Sequence, residues 1–197
     1  ATLSDNTADG NGGGLYASGA SPDVVTSHFY TNAASNGGGV YLDGTTTGSV
    51  GPRLKECDLA YNTASGSGGG IYITGTTEFW LNLVVAWMNE AGGDGGALYA
   101  DNMGDLYVTY ARFFYNTATN GGGMYASSLG GGETRKSRFG GNVVSERGGG
   151  AYYGAPGGTA HQIHNNIYLE NTANRGAGLN VSGDDGRLYV VEHVDAV

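Results

Sequence analysis

Two carboxylates and a row of phenols are the side chains whose spacing in this sequence could do chemistry. Asp43 and Asp101 each stand two residues after a tyrosine, in Val40-Tyr41-Leu42-Asp43 and Leu98-Tyr99-Ala100-Asp101. Two carboxylates on one surface can serve as acid and base in cleaving a glycosidic bond. The corresponding position of each repeat holds Ser18, Asp43, Thr74, Asp101, Ser127, Gly154 and Ser182, so the acids fall two repeats apart. With strands about 4.8 Å apart the acids would be about 10 Å apart, just beyond the span of an inverting glycosidase. A catalytic pair would also need cations nearby. The basic segment Arg135-Lys136-Ser137-Arg138 lies elsewhere in the sequence and reads as a solvated loop. Asp43 and Asp101 therefore read as solvated charge, and as a catalytic pair only in the alternative of a carbohydrate-active lyase or hydrolase.

The phenols are Tyr16, Tyr41, Tyr72, Tyr99, Tyr125 and Tyr152, each following an apolar or small residue directly after a glycine-rich run. Aligned on one face, they would either shield the sheet by packing on one another or form a sticky face for sugars or for like molecules. The remaining candidates are weaker. His28, His161, His164 and His193 share no repeat position, so no zinc site is expected. Asp184-Asp185 lacks the rest of a calcium loop. The glycine runs lack the Gly-Lys-Ser/Thr ending that cradles phosphate, and no cofactor is expected.

What must position these residues is a repeat. Seven asparagines, Asn6, Asn32, Asn62, Asn89, Asn116, Asn142 and Asn171, recur at spacings of 26, 30, 27, 27, 26 and 29 residues. Three residues before them stand Leu3, Phe29, Leu59, Ala86, Phe113, Phe139 and Tyr168; two residues after stand six alanines and Val144. A glycine cluster follows each asparagine, as at 12–14, 37–39, 68–70, 121–123 and 148–150. Each glycine would cost a helix about 1 kcal/mol, so helices are a poor explanation. The segments after the glycines alternate apolar and outward residues, as in Ile71-Tyr72-Ile73-Thr74, and a second strand precedes each asparagine.

Short strands recurring without helical crossovers coil so that each pairs in parallel with its equivalent one rung away. The expected fold is all-β, a single-stranded parallel β-helix (β-solenoid) of about seven rungs with 26–30 residues per rung, forming a single domain over 1–197. In it the asparagines would stack and close turns by bonding to one another and to backbone. The glycines would permit φ > 0 and close approach between rungs. They would also leave, in one reading, a flat strip of exposed backbone for another chain or a glycan.

The columns resemble the repeats of chlamydial polymorphic outer-membrane proteins and related autotransporter passenger domains, which carry Phe-x-x-Asn and Gly-Gly-Ala-Ile-like motifs. Phe29 to Asn32, Phe113 to Asn116 and Phe139 to Asn142 match the first motif; Gly95-Gly96-Ala97-Leu98 nearly matches the second. The resemblance implies a right-handed helix. The chain departs from it in preferring Gly-Gly-Gly and Tyr, and no membrane-anchoring barrel is expected within these residues.

Composition narrows the partners. Eighteen acids against nine Lys and Arg give a net charge of −9, which opposes attraction to nucleic acid or anionic lipid. No apolar run is long enough to span a membrane as a helix, so no membrane insertion is expected. The single cysteine, Cys57, excludes an internal disulfide, and its reading is a small core residue. The first strand starts partway through its repeat, and Leu188-Tyr189-Val190-Val191 begins a new apolar segment. The chain is then either a segment of a longer solenoid or one subunit of an end-to-end fibre. The function expected is an extracellular or cell-surface structural or adhesive module, non-enzymatic, whose tyrosine column meets glycans or copies of itself.

Overall fold

A computed structural model describes residues 1–44, 51–155 and 161–183, and the backbone of the strand Val191–Ala196. The described strands are all paired in parallel, each with its equivalent in the turn before or after. The architecture is a parallel β-solenoid, and its seven asparagines bracket six turns.

Each turn has four sides. The tyrosine strands run through Leu15–Ser18, Val40–Asp43, Ile71–Thr74, the first part of Leu98–Thr109 and of Met124–Arg135, Ala151–Tyr153 and Leu179–Val181. The middle strands run through Asp23–Val25, Arg53–Lys55, Glu78–Asn82, the later parts of Leu98–Thr109 and Met124–Arg135, and the start of Gln162–Leu169. The phenylalanine strands comprise Thr2–Ser4, His28–Tyr30, Asp58–Ala60, Val85–Trp87, Arg112–Phe114, Arg138–Gly140 and the end of Gln162–Leu169. A fourth, short column of Ala33–Ala34, Thr63–Ala64, Glu90–Ala91, Thr117–Asn120 and Val143–Arg147 lies between the asparagines and the glycine runs.

Alternation along these strands builds the core. Val40, Leu42, Ile71, Ile73, Leu98, Ala100, Met124 and Ala126 enter it from the tyrosine strands. Leu54, Leu81, Leu106 and Val108 enter from the middle strands, and Phe29, Leu59, Phe113 and Phe139 from the third side. The rings of Phe113 and Phe139 lie 5.0 Å apart, and those of Phe139 and Tyr168 stack at 4.9 Å. Cys57 is a buried member of this core.

The bends between sides come from single residues. Among the described residues fourteen non-glycine residues have positive φ, and most of them stack in two columns. Asp5, Thr31, Tyr61, Met88, Tyr115, Gly141 and Glu170 each immediately precede a ladder asparagine; Thr26, Glu56, Leu83, Tyr110, Lys136 and Asn165 turn the middle strand into the phenylalanine strand. The left-handed region costs an L-residue about 1–2 kcal/mol. In both columns, as far as Gly141, the N–H of the bent residue donates to the next rung: Thr31 to Ala60 O at 3.0 Å, for example, and Leu83 to Thr109 O at 3.0 Å. The bend thus keeps the ladder continuous around the corner.

The glycine run needs its composition for two reasons, shown at residues 37–39. Gly37 sits at φ 62°. A methyl on Gly38 would meet Thr63 O at 2.4 Å and Gly69 O at 2.6 Å, both backbone atoms of the next turn. These glycines are buried, as are those of the next four runs, so the exposed backbone strip anticipated from sequence does not form. Successive glycines cover one another across rungs.

Candidate functional site

The tyrosine column is built by register. Tyr16, Tyr41, Tyr72, Tyr99, Tyr125 and Tyr152 are successive partners on adjacent tyrosine strands, and Asn180 follows Tyr152. Their rings stack face to face, with centroids 5.3, 4.9, 4.7, 5.1 and 4.9 Å apart and interplanar angles no larger than 14°. Tyr16 is 54% exposed and Tyr41 only 8%, while the other four are half-buried. Mutual stacking consumes the ring faces, so the outer surface of the stack consists of ring edges and hydroxyls.

Burial sets the electrostatics of the stack. Loss of solvent raises the phenol pKa values of Tyr41, Tyr72, Tyr99 and Tyr125 above the ordinary value of 10. The charge of Asp101 adds to the shift at Tyr72 and Tyr99. The Tyr99 hydroxyl donates to Asp101 Oδ2 at 3.4 Å, and Tyr152 Oη shares a hydrogen bond with Ser182 Oγ at 3.0 Å. The four shifted phenols are neutral hydroxyls at neutral pH.

Asp43 and Asp101 lie in the neighbouring column, each paired in register with Thr74. Two strand spacings put their backbones about 10 Å apart. Neither forms an ion pair among the described residues; Asp101 instead accepts from Tyr99. Among the described residues no group of three His, Cys, Asp or Glu side chains could hold a metal, and no helix is long and apolar enough to cross a membrane. His161 is buried, with Thr134 Oγ1 2.9 Å from Nε2 and Gly131 O 3.1 Å from Nδ1. His28 and His164 pair with Asp58 and Glu133 on other strands. Asp184 and Asp185 lie outside the described residues, as do Leu188 to Val190.

The asparagines form one ladder through the turns. Asn32, Asn62, Asn89, Asn116 and Asn142 are fully buried. Each Nδ2 donates to the next asparagine's Oδ1, from Asn6 to Asn32 at 2.9 Å up to Asn142 to Asn171 at 2.9 Å. From Asn32 onward the second Nδ2 proton goes to a backbone carbonyl, as Asn62 to Phe29 O at 2.9 Å. Each Oδ1 also accepts the preceding asparagine's N–H. The interior amides have no hydrogen-bonding capacity left for a ligand.

A second ladder escaped the sequence reading. The residue just before each glycine run, Asn11, Asn36, Ser67, Asp94, Asn120 and Arg147, lines another edge of the solenoid. Asn36 Nδ2 reaches Asn11 Oδ1 at 3.1 Å, Ser67 N reaches Asn36 Oδ1 at 2.9 Å, and Asn120 Nδ2 reaches Asp94 Oδ1 at 2.8 Å. The available signal was a side-chain oxygen preceding nearly every glycine run. Two further outward aromatics, Trp80 and Tyr107, stack at 3.9 Å on the middle strands.

The segment Arg135 to Arg138 is a corner rather than the loop expected. Arg135 ends one strand, Lys136 makes the bend at φ 51°, Ser137 turns inward and is buried, and Arg138 opens the next strand.

Taken together, the columns define a parallel β-solenoid repeat protein whose side-chain ladders are mainly structural. Two segments, residues 1–18 and 56–74, match the Chlamydia polymorphic membrane protein repeat. Each contains one whole unit of asparagine, glycine run and tyrosine, Asn6 to Tyr16 in the first and Asn62 to Tyr72 in the second. No curated protein and no solved structure matches the chain.

Proposed function

We propose that the chain is an extracellular, surface-exposed structural and adhesive module that presents its tyrosine stack to glycans or to copies of itself. The observation that carries this reading is the unbroken, edge-outward six-ring stack, on a scaffold whose asparagine ladder is satisfied internally. Ring edges and neutral hydroxyls at about one strand spacing suit contact with a second rod or hydrogen bonding to sugar hydroxyls. The matched repeat is that of membrane proteins of Chlamydia, which supports a place at the cell surface.

The test combines a glycan array with electron microscopy of the purified chain and of a variant carrying Tyr72→Ser, Tyr99→Ser and Tyr125→Ser. Capture of neutral glycans, or lateral or end-to-end association into filaments, is expected for the parent and lost in the folded variant. Binding and association unchanged in the variant, or absent from the parent, would sink the reading. Release of new reducing ends or unsaturated sugars, abolished by Asp43→Asn or Asp101→Asn, would replace it with catalysis.

A further inference from the structure

Six of the nine lysines and arginines lie along the middle and phenylalanine strands or the corner joining them: Arg53, Lys55, Arg112, Arg135, Lys136 and Arg138. They divide sharply by partner. Arg53 pairs with Asp23 at 2.8 Å, and Lys55 with Glu56 at 3.3 Å. Arg135 Nε lies 2.8 Å from Glu133 Oε1, an ion pair too poorly aligned for a hydrogen bond. The side chains of Arg112 and Arg138 have neither a carboxylate nor a hydrogen-bond partner among the described residues, although the two are direct register partners on adjacent rungs. Like charges opposed on a ladder repel, so this pair is an uncompensated cost in the free protein. Asp58 occupies the same column two rungs from Arg112, but Val85 intervenes and His28 engages it at 3.0 Å.

Beside the two arginines the surface is concave. Arg112, Lys136 and Arg138 rim a cleft of about 300 Å³ whose other walls are Leu83, Val85, Ala111 and Tyr110. Leu83 and Tyr110 are each 46% exposed at left-handed bends. Lys136 Nζ donates to the Tyr110 hydroxyl at 3.1 Å and lies 5.2 Å from the ring centre. The cleft therefore combines an apolar, ring-bearing wall with three cations, and its lining contains no carboxylate.

We infer that this cleft binds an acidic polysaccharide, a linear chain of pyranose rings bearing carboxylates, laid along the solenoid axis over Tyr110 with its carboxylates on Arg112 and Arg138. Charge and surface favour that occupant: the cleft sets three cations and no carboxylate beside an apolar, ring-bearing wall. Each guanidinium fork matches one carboxylate, while Leu83 and Tyr110 offer apolar surface to the ring faces. A single nucleic-acid strand requires a succession of aromatic platforms, and the cleft supplies one ring. The site lies on a different column from the tyrosine stack and does not depend on it.

Calorimetric titration of the whole chain with a linear galacturonate oligomer tests the inference. Saturable binding is expected, weakened by added salt; any binding of a neutral glucan of equal length should be insensitive to salt and to substitution of the arginines. Arg112→Gln and Arg138→Gln should each weaken it at least about tenfold. Arg53→Gln, in the carboxylate-paired part of the surface, should change it less than twofold, and so should the triple tyrosine variant. Both test arginines are exposed, so the variants should fold, which circular dichroism verifies. The inference is overturned by no binding to the parent, by undiminished binding in the double arginine variant, or by equal affinity for polyglutamate or single-stranded DNA.

Discussion

Asn89 and Asn116 share one oxygen: Oδ1 of Asn116 accepts both the side-chain Nδ2 of Asn89 at 3.0 Å and its backbone N–H at 2.9 Å. Repeated at every rung, this double contact fixes the corner and the side chain with one group. Replacing Asn89 by alanine orphans two buried donors of Asn62. Each orphan costs about 1–3 kcal/mol, so Asn89→Ala should lose about 2–6 kcal/mol in denaturant melts. Asn6→Ala should lose far less, because Asn6 is exposed and acts in the ladder only as a donor. Equal losses at the two sites would contradict the ladder as the source.

Gly38 has no room for a side chain, since backbone oxygens of the next turn stand where a methyl would go. Gly38→Ala should cost about 1–3 kcal/mol or more through overpacking. Alanine at Gly10, where nothing lies within 4 Å, should be close to neutral. Thermal melts of the two variants separate steric from conformational effects.

His161 gives the fold an acid sensitivity. Burial lowers its pKa from 6.5 to about 4, so the folded chain holds it neutral while the unfolded chain takes up a proton below about 6.5. The unfolded state binds more protons between these values, so stability is intact above about pH 6.5 and falls as pH drops toward 4. The loss should approach about 3 kcal/mol. Melting temperature against pH should flatten across that window in His161→Gln, and an unchanged slope would exclude this histidine as the cause.

Alkaline titration followed by tyrosinate absorbance should resolve two populations. Tyr110 titrates early, since Lys136 hydrogen-bonds its oxygen and lowers its pKa. Tyr72, Tyr99 and Tyr125 of the stack titrate above the ordinary value of 10 because burial disfavours their anions. Their raised folded values mean that stability is present below pH 10 and declines above it. Tyr110→Phe should delete the early phase alone.

Arg112→Gln should raise the melting temperature of the unliganded chain slightly, by removing repulsion from Arg138. A ligand-free loss of stability would mean that the side chain has a structural partner.

Much of this fold was legible because its columns keep chemical type: an asparagine ladder and alternating strands are visible as periods, and the register of Tyr41, Tyr72 and Tyr99 follows from them. What was illegible is set by backbone rather than side chain. Thr31, Tyr61 and Met88 share a left-handed bend with no common chemistry, since the inter-rung hydrogen bond selects the conformation. The second ladder was hidden by exchange of residue type, because Ser67 and Asp94 do with different atoms what Asn36 does with an amide. Arg135 to Arg138 read as a loop because a single bent residue, Lys136, reverses the inward and outward alternation within four positions.

One-residue bends also dictate where such a chain can change length. Val24, Leu54, Leu81, Val108, Thr134 and Ile163 each precede their ladder asparagine by eight residues, without exception. The asparagine-to-tyrosine intervals are nearly as constant, whereas Tyr41 to Leu54 is longer than Tyr72 to Leu81. Insertions therefore have one permissive seam, after the tyrosine strand, beside Gly19, Gly44 and Gly75. A guest peptide spliced in at Gly75 would be displayed beside a scaffold whose other edges hold their length nearly fixed.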